Sequence, residues 1–182
     1  MKTIQVGDKS FQIMISKDQI EDRIREMAAN INQSYAGREV VLLCVLKGSI
    51  LFSADIMRHL QMPLTLDFIR LSSYGSNTQS SGKIQEIMGA ASRLEGKHVI
   101  VIEDIVDSGL TLEYLRKDLQ EKGVASAAVV SLLYKPGNFK GLTPPDYYGF
   151  DIADAFVVGY GMDYAEHGRQ YDAIYQLEAS HA

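Results

Sequence analysis

The stretch Val99-Ile100-Val101-Ile102-Glu103-Asp104-Ile105-Val106-Asp107-Ser108-Gly109-Leu110-Thr111 changes character twice. Residues 99–102 are apolar and β-branched, the pattern of a strand buried on both faces. Two adjacent carboxylates follow, then a third carboxylate and Ser-Gly-Leu-Thr. From there the apolar period lengthens, with Leu112, Leu115 and Leu119 on one face, which predicts a helix over residues 111–122. A buried strand therefore delivers acids and hydroxyls to the start of a helix. Free backbone N–H groups point outward there, and the helix dipole favours an anion. The turn suits a phosphate, and the acids beside it suit sugar hydroxyls or a metal ion. The plainer alternative is a strand-turn-helix in which Asp107 or Ser108 is only a cap. Capping alone does not account for two like charges side by side at a strand end, because they repel.

The remaining chain repeats the alternation. Ser16 and Gln19 have capping-box spacing before Ile20, Ile24, Met27 and Ile31, which share a helical face. Val40–Leu46 reads as a buried strand, Lys47-Gly48-Ser49 as a turn, and residues 50–60 as a helix. Strands are predicted over residues 64–71, 125–133 and, short and late, 156–159. Residues 72–89 are rich in Ser, Gly, Asn and Gln, the composition of a flexible lid. Residues 135–146 form an irregular connection. Alternating strand and helix implies an α/β fold with a parallel sheet and helices on both faces. Ligands bind such sheets at the carboxyl ends of the strands, where each candidate residue falls.

Bulk properties narrow the classes. The 182 residues suit one domain. A net charge of −5 with no long basic run argues against a nucleic-acid binder held by phosphate contacts. The single cysteine, Cys44, lies in an apolar run and is expected to be a buried packing residue. Residues 1–10 do not read as a signal peptide, and no apolar run reaches membrane-spanning length, so a cytoplasmic protein is expected. The four histidines form no pattern, and no Walker-type loop is present.

Residues 103–111 resemble the phosphoribosyl-diphosphate motif of the type I phosphoribosyltransferases, and more narrowly of their hypoxanthine-guanine branch. Five separated segments in the expected order extend the resemblance over about residues 13–177. It implies one phosphoribosyltransferase domain over residues 1–182, with a mainly parallel twisted sheet and a small hood from about residues 1–15 and 150–182. It implies transfer of the 5-phosphoribosyl group from its 1-diphosphate to N9 of hypoxanthine or guanine, with magnesium as cofactor. The partners implied are these small substrates, with no nucleic acid and no membrane, in a homodimer or homotetramer. Asp107 is the implied acid or base at N7 of the purine. Glu103 and Asp104 serve the ribose hydroxyls and magnesium, and Asp163 is a further metal-side carboxylate. Asp107, Ser108, Gly109, Leu110 and Thr111 cradle the 5′-phosphate. Lys47, Gly48 and Arg169 take the pyrophosphate, with a cis bond at Leu46–Lys47. Lys135, Phe156, Val157 and Asp163 surround the purine, and Ser73-Tyr74 belongs to a mobile lid. Two alternatives stay open: a relative preferring xanthine or limited to hypoxanthine, and a nucleic-acid-binding regulator that uses the diphosphate site as a sensor.

Overall fold

The computed structural model describes residues 2–73 and 84–178. In chain order these form β1 (Thr3–Val6), β2 (Lys9–Ile15), α1 (Lys17–Ser34), β3 (Val40–Leu46), α2 (Ile50–Met57), β4 (Leu64–Ser73) and β5 (Ile84–Met88). There follow β6 (His98–Val106), α3 (Leu110–Glu121), β7 (Ser126–Tyr134), β8 (Tyr147–Asp151), β9 (Val157–Val158) and β10 (Ile174–Leu177).

A six-stranded sheet runs β5-β4-β3-β6-β7-β8, parallel except for the β4–β5 hairpin. Along β3 and β6 the side chains alternate between two cores. Val40, Leu42, Cys44, Ile100 and Ile102 pack with α1 and α2, whereas Val41, Leu43, Val45, Val99 and Val101 pack with α3. Burial on both faces is why these strands read as unbroken apolar runs. Each such side chain contributes about 1.5–3 kcal/mol of transfer free energy. The chain leaves β3 toward one face and β6 toward the other, so a crevice opens between their carboxyl ends.

A second sheet, β1-β2-β10-β9, joins the two ends of the chain. Its core is Val6, Phe11, Val158, Ala173 and Tyr175. Of these strands only β9 is predicted from the local pattern; β1 and β2 form a hairpin, but β2 and β10 pair across the length of the chain, which no local pattern reveals.

Helix α1 begins as expected. Gln19 N–H donates to Ser16 Oγ at 3.3 Å, and Ser16 N–H donates to Gln19 Oε1 at 2.9 Å. Helix α2 stops at Met57, short of the predicted 60. Asn32 of α1 explains the stop: its amide donates to the His59 carbonyl at 2.9 Å and accepts from Gln61 N–H at 2.8 Å. Pro63 then demands extended backbone before it. Strand β6 runs past residue 102 to Val106, because β7 continues beside it through Ile105↔Leu133 and Val106↔Tyr134. The acids thus lie within the strand, beyond the last β3 pairing at Cys44↔Ile102. Residues 72–73 and 84–88, predicted as flexible, pair as β4 and β5, while Tyr74 and residues 75–83 lie outside the described residues. No helix among the described residues is long and apolar enough to cross a membrane.

Cys44 is fully buried, and burial pushes its thiol up to about 11. The folded protein at pH 8 is expected to resist a disulfide labelling reagent and to release one thiol equivalent per chain after denaturation. Rapid labelling of the folded protein would contradict this packing.

Candidate functional site

The crevice between β3 and β6 is lined by two loops and roofed by the second sheet. The first loop follows β6. Gly109 takes φ +89° and caps α3, and among the described residues no side chain caps that end. A Cβ at Gly109 would stand 2.5 Å from the Phe139 ring, so no larger residue fits this left-handed position. Neither Asp107 nor Ser108 is the cap, although Leu110 N–H reaches Ser108 Oγ at 3.5 Å. The loop is fastened from behind by Lys135 N–H on the Val106 carbonyl (2.9 Å) and Lys140 N–H on the Ser108 carbonyl (3.0 Å). A recess of about 90 Å³ is lined by Glu103 and by residues 105–112, including Ser108, Gly109 and Thr111. Hydroxyls and helix-terminal N–H groups face an anion-sized space.

The second loop follows β3. Its Leu46–Lys47 bond is cis. Ser49 Oγ donates to the Val45 carbonyl at 2.5 Å and ties the turn to the strand it leaves. Gly48 passes directly beneath Asp104, where a Cβ would fall 1.6 Å from Oδ2. Gly161, at φ +97°, backs the same turn, since a Cβ there would lie 2.1 Å from the Gly48 carbonyl oxygen. Arg169 continues the contact by donating from Nη1 to the Gly161 carbonyl at 2.8 Å.

The main cleft, about 240 Å³, is lined by Asp104, Ile105, Asp107, Lys135, Ala155, Phe156, Val157, Met162 and Asp163. At one edge Lys135 Nζ donates to Asp107 Oδ2 at 2.9 Å and to Asp154 Oδ1 at 3.1 Å. Asn138 Nδ2 donates to Asp107 Oδ1 at 3.0 Å. Burial alone would lower the Lys135 pKa, but the two carboxylates outweigh it and the net direction is up. Hydrogen bonds from Lys135 and Asn138 pull Asp154 down. Lys135 is therefore a fixed cation beneath a cleft floor. Phe156, just outside β9, is half-exposed and leans on Phe11 and Tyr164, with centroids 6.3 and 5.8 Å away. That leaves aromatic surface for a planar ligand.

Across the cleft, Arg169 Nη2 pairs with Asp163 Oδ1 at 2.6 Å and with Glu166 Oε2 at 3.0 Å. Glu166 also accepts from Lys47 Nζ at 2.9 Å. These two cations hold the Glu166 carboxyl down at about 2.

Glu103 and Asp104 behave differently. Burial, then the charge of Asp104, pushes Glu103 well above the usual carboxylate range. Burial also raises Asp104, against an N–H bond from Ile105 at 3.0 Å and the charge of Arg169. The three expected metal carboxylates are not one cluster: Glu103 and Asp104 sit on β6, and Asp163 stands across the cleft on Arg169. Among the described residues no group of three or more such ligands could cage an ion. The donor set, all oxygen and only one or two carboxylates per side, fits magnesium that keeps its waters and shares substrate oxygens.

Of the residues expected from sequence, Asp104, Asp107, Lys135, Phe156, Val157 and Asp163 line the main cleft. Glu103, Ser108, Gly109, Leu110 and Thr111 line the recess beside it. Lys47, Gly48 and Arg169 line neither space but stand behind the main cleft: Gly48 lies against Asp104, Arg169 holds Asp163, and Lys47 meets Arg169 through Glu166. Ser73 ends β4, and Tyr74 is outside the described residues. Asn138, Asp154 and Glu166 were not foreseen. Asn138 and Asp154 lie in loops whose local pattern signals only turns. Glu166 stands between Asp163 and Arg169, and its local sequence carries no signal that separates it from a solvated charge.

A family model described as phosphoribosyl transferase domain matches residues 16–165. The chain is 40% identical to a hypoxanthine-guanine phosphoribosyltransferase of Bacillus subtilis, covering 87% of this chain and 88% of that one. It is 39% identical to the protein of that name from Dictyostelium discoideum, over 93% and 96%. A crystal structure of a hypoxanthine phosphoribosyltransferase from Staphylococcus aureus superposes with a TM-score of 0.88 at 36% identity, covering 92% of this chain and 91% of the other. One of a Bacillus anthracis hypoxanthine-guanine phosphoribosyltransferase superposes with a TM-score of 0.87 at 39% identity, over 92% and 98%.

The raised Glu103 carboxyl has a consequence for stability. Its folded pKa exceeds the unfolded one, so folding binds a proton, and this stability is lost as pH rises from about 4 through the folded pKa. Glu103→Gln keeps the shape and discards the charge. With a chelator present, its Tm at pH 7.5 is expected to exceed that of the parent by roughly 2–4 °C or more, the gap closing toward pH 5. An equal or lower Tm at every pH would contradict the assignment.

Proposed function

The chain belongs to the phosphoribosyltransferase family, and we propose that its cleft transfers the 5-phosphoribosyl group from phosphoribosyl diphosphate to N9 of hypoxanthine or guanine. The products are the purine nucleoside monophosphate and pyrophosphate, a purine salvage reaction. The names of the relatives support this activity and favour neither a xanthine-preferring enzyme nor a nucleic-acid-binding regulator. The observation that carries the reading is the Lys135–Asp107 pair at 2.9 Å on the edge of a cleft with an exposed aromatic face.

In this reading the 5′-phosphate rests on Ser108, Gly109, Leu110 and Thr111 with Asp107 beside it, and the α3 terminus supplies N–H donors. The purine lies on Phe156 and meets the backbone of Val157. Lys135, a permanent donor with no acceptor capacity, faces the 6-oxygen and leaves a 6-amino group unpaired. As the bond from C1 to the diphosphate breaks and the bond from C1 to N9 forms, the diphosphate leaves with the electron pair. Asp107 holds the proton released by the base near N7. Lys47, the Gly48 N–H and Arg169 take the charge that gathers on the leaving group. Glu103 and Asp104 hold the ribose hydroxyls, and the carboxylates of Asp104 and Asp163 are the ones suited to magnesium. When bound, that ion supplies positive charge to the leaving diphosphate. The lid role that the resemblance implies for Ser73 and Tyr74 falls at the end of β4 and on residues outside those described. A single domain, a cytoplasmic location, and assembly as a homodimer or homotetramer form part of the same proposal.

Turnover with phosphoribosyl diphosphate and magnesium tests it. Hypoxanthine or guanine is expected to react and adenine to stay silent, with Asp107→Asn slower by about 10²–10⁴-fold. Lys135→Ala should weaken the preference for a 6-oxo over a 6-amino base. Absence of turnover with every base, while phosphoribosyl diphosphate still binds, would overturn the reading.

A further inference from the structure

Glu166 stands on the cleft margin, and the proposed chemistry gives it no role. It sits in a two-residue turn closed by Tyr164 N–H on the His167 carbonyl (2.9 Å) and His167 N–H on the Tyr164 carbonyl (3.0 Å). Ala165 and Glu166 take φ +50° and +68°, the left-handed pair of a type I′ turn that favours Gly and Asn. Asp163 Oδ2 accepts the Glu166 N–H at 2.8 Å and fixes the turn. The side chain reaches Lys47 Nζ at 3.0 and 2.9 Å and Arg169 Nη2 at 3.0 Å. Lys47 is 119 residues away in sequence, so the fold itself brings these groups together.

The partners of this carboxylate are the two cations read above as diphosphate contacts. We propose that Glu166 is a resident anion of the diphosphate subsite, holding Lys47 and Arg169 between turnovers and yielding them to diphosphate on each cycle. The inference rests on that reading of Lys47 and Arg169. The geometry supports exchange rather than a permanent bridge. Glu166 and Lys47 are 63% and 43% exposed, so both are free to move into water. The loops beneath them are rigid by contrast, because the Gly48 carbonyl abuts Gly161 and Arg169 Nη1 is anchored on the Gly161 carbonyl. Asp163 and Glu166 together offset the two cations, which leaves the subsite neutral at rest. A diphosphate brings more negative charge and more acceptor oxygens than one carboxylate, and so it displaces Glu166. The displaced carboxylate then stands ready to retake the cations, which weakens retention of the product. Exposed ion pairs are individually weak, so the competition is tuned to shift an equilibrium rather than to block it.

The test is calorimetric titration of inorganic pyrophosphate with magnesium into the full chain, its Glu166→Gln variant and its Glu166→Ala variant. Both variants are expected to bind pyrophosphate about three- to tenfold more tightly. KM for phosphoribosyl diphosphate should fall in parallel, and KM for the purine and the Tm should not move. Equal or weaker pyrophosphate binding in both variants would overturn the proposal, because Glu166 would then be ordering the cations instead of competing for them. A parent chain that fails to bind pyrophosphate at all would overturn the subsite reading and this inference with it.

Discussion

The pairing of β3 with β6 is the constraint from which the site follows. Their ladder ends at Cys44↔Ile102, yet both strands run on, β3 to Leu46 and β6 to Val106. Beyond that point the chain turns to α2 on one side and α3 on the other, and the gap between the two turns is the crevice. Its width is set by contact: the Gly48 backbone lies against Asp104, and Gly161 lies against Gly48. Side chains at those glycines would push the turns apart and separate the groups that converge there. The apolar faces of α1, α2 and α3 keep the two strands from yielding, since well-packed cores transmit strain rather than absorb it.

Charge is distributed across the crevice in two opposed groups. On the β7 side, Lys135 is shared by Asp107 and Asp154, with Asn138 holding the second oxygen of Asp107. On the roof side, Lys47 and Arg169 share Glu166, and Arg169 also holds Asp163. The roof-side group sets two cations against two carboxylates, and the β7-side group sets one cation against two; every charge in both is paired, which limits what burial costs. Between them stand two neighbouring carboxyls, Glu103 buried and Asp104 half-buried, with both pKa values driven upward chiefly by burial. Such displaced acid strength is typical of sites built for ligands rather than for stability.

The inner strands β3 and β7 and the first half of β6 were legible because they are buried on both faces and carry few polar residues. The capping box at Ser16 and Gln19 was equally plain, being a local arrangement. What sequence hid was long-range. β2 and β10 pair across more than half the chain, and β8 is a five-residue edge strand whose carbonyls at Tyr148 and Gly149 are taken by Arg23 of α1. The stop of α2 depends on Asn32 of another helix. The residues of the phosphate loop were readable because their chemistry is contiguous in sequence. Asn138, Asp154 and Glu166 were not, because each gains its meaning from a partner 19 to 119 residues away.

The most direct test of this account is a crystal structure with a purine nucleoside monophosphate bound. The account predicts the 5′-phosphate on the N–H groups and hydroxyls of Ser108–Thr111, the base over Phe156, and its 6-oxygen on Lys135. A phosphate bound elsewhere, with residues 108–111 unoccupied, would contradict it.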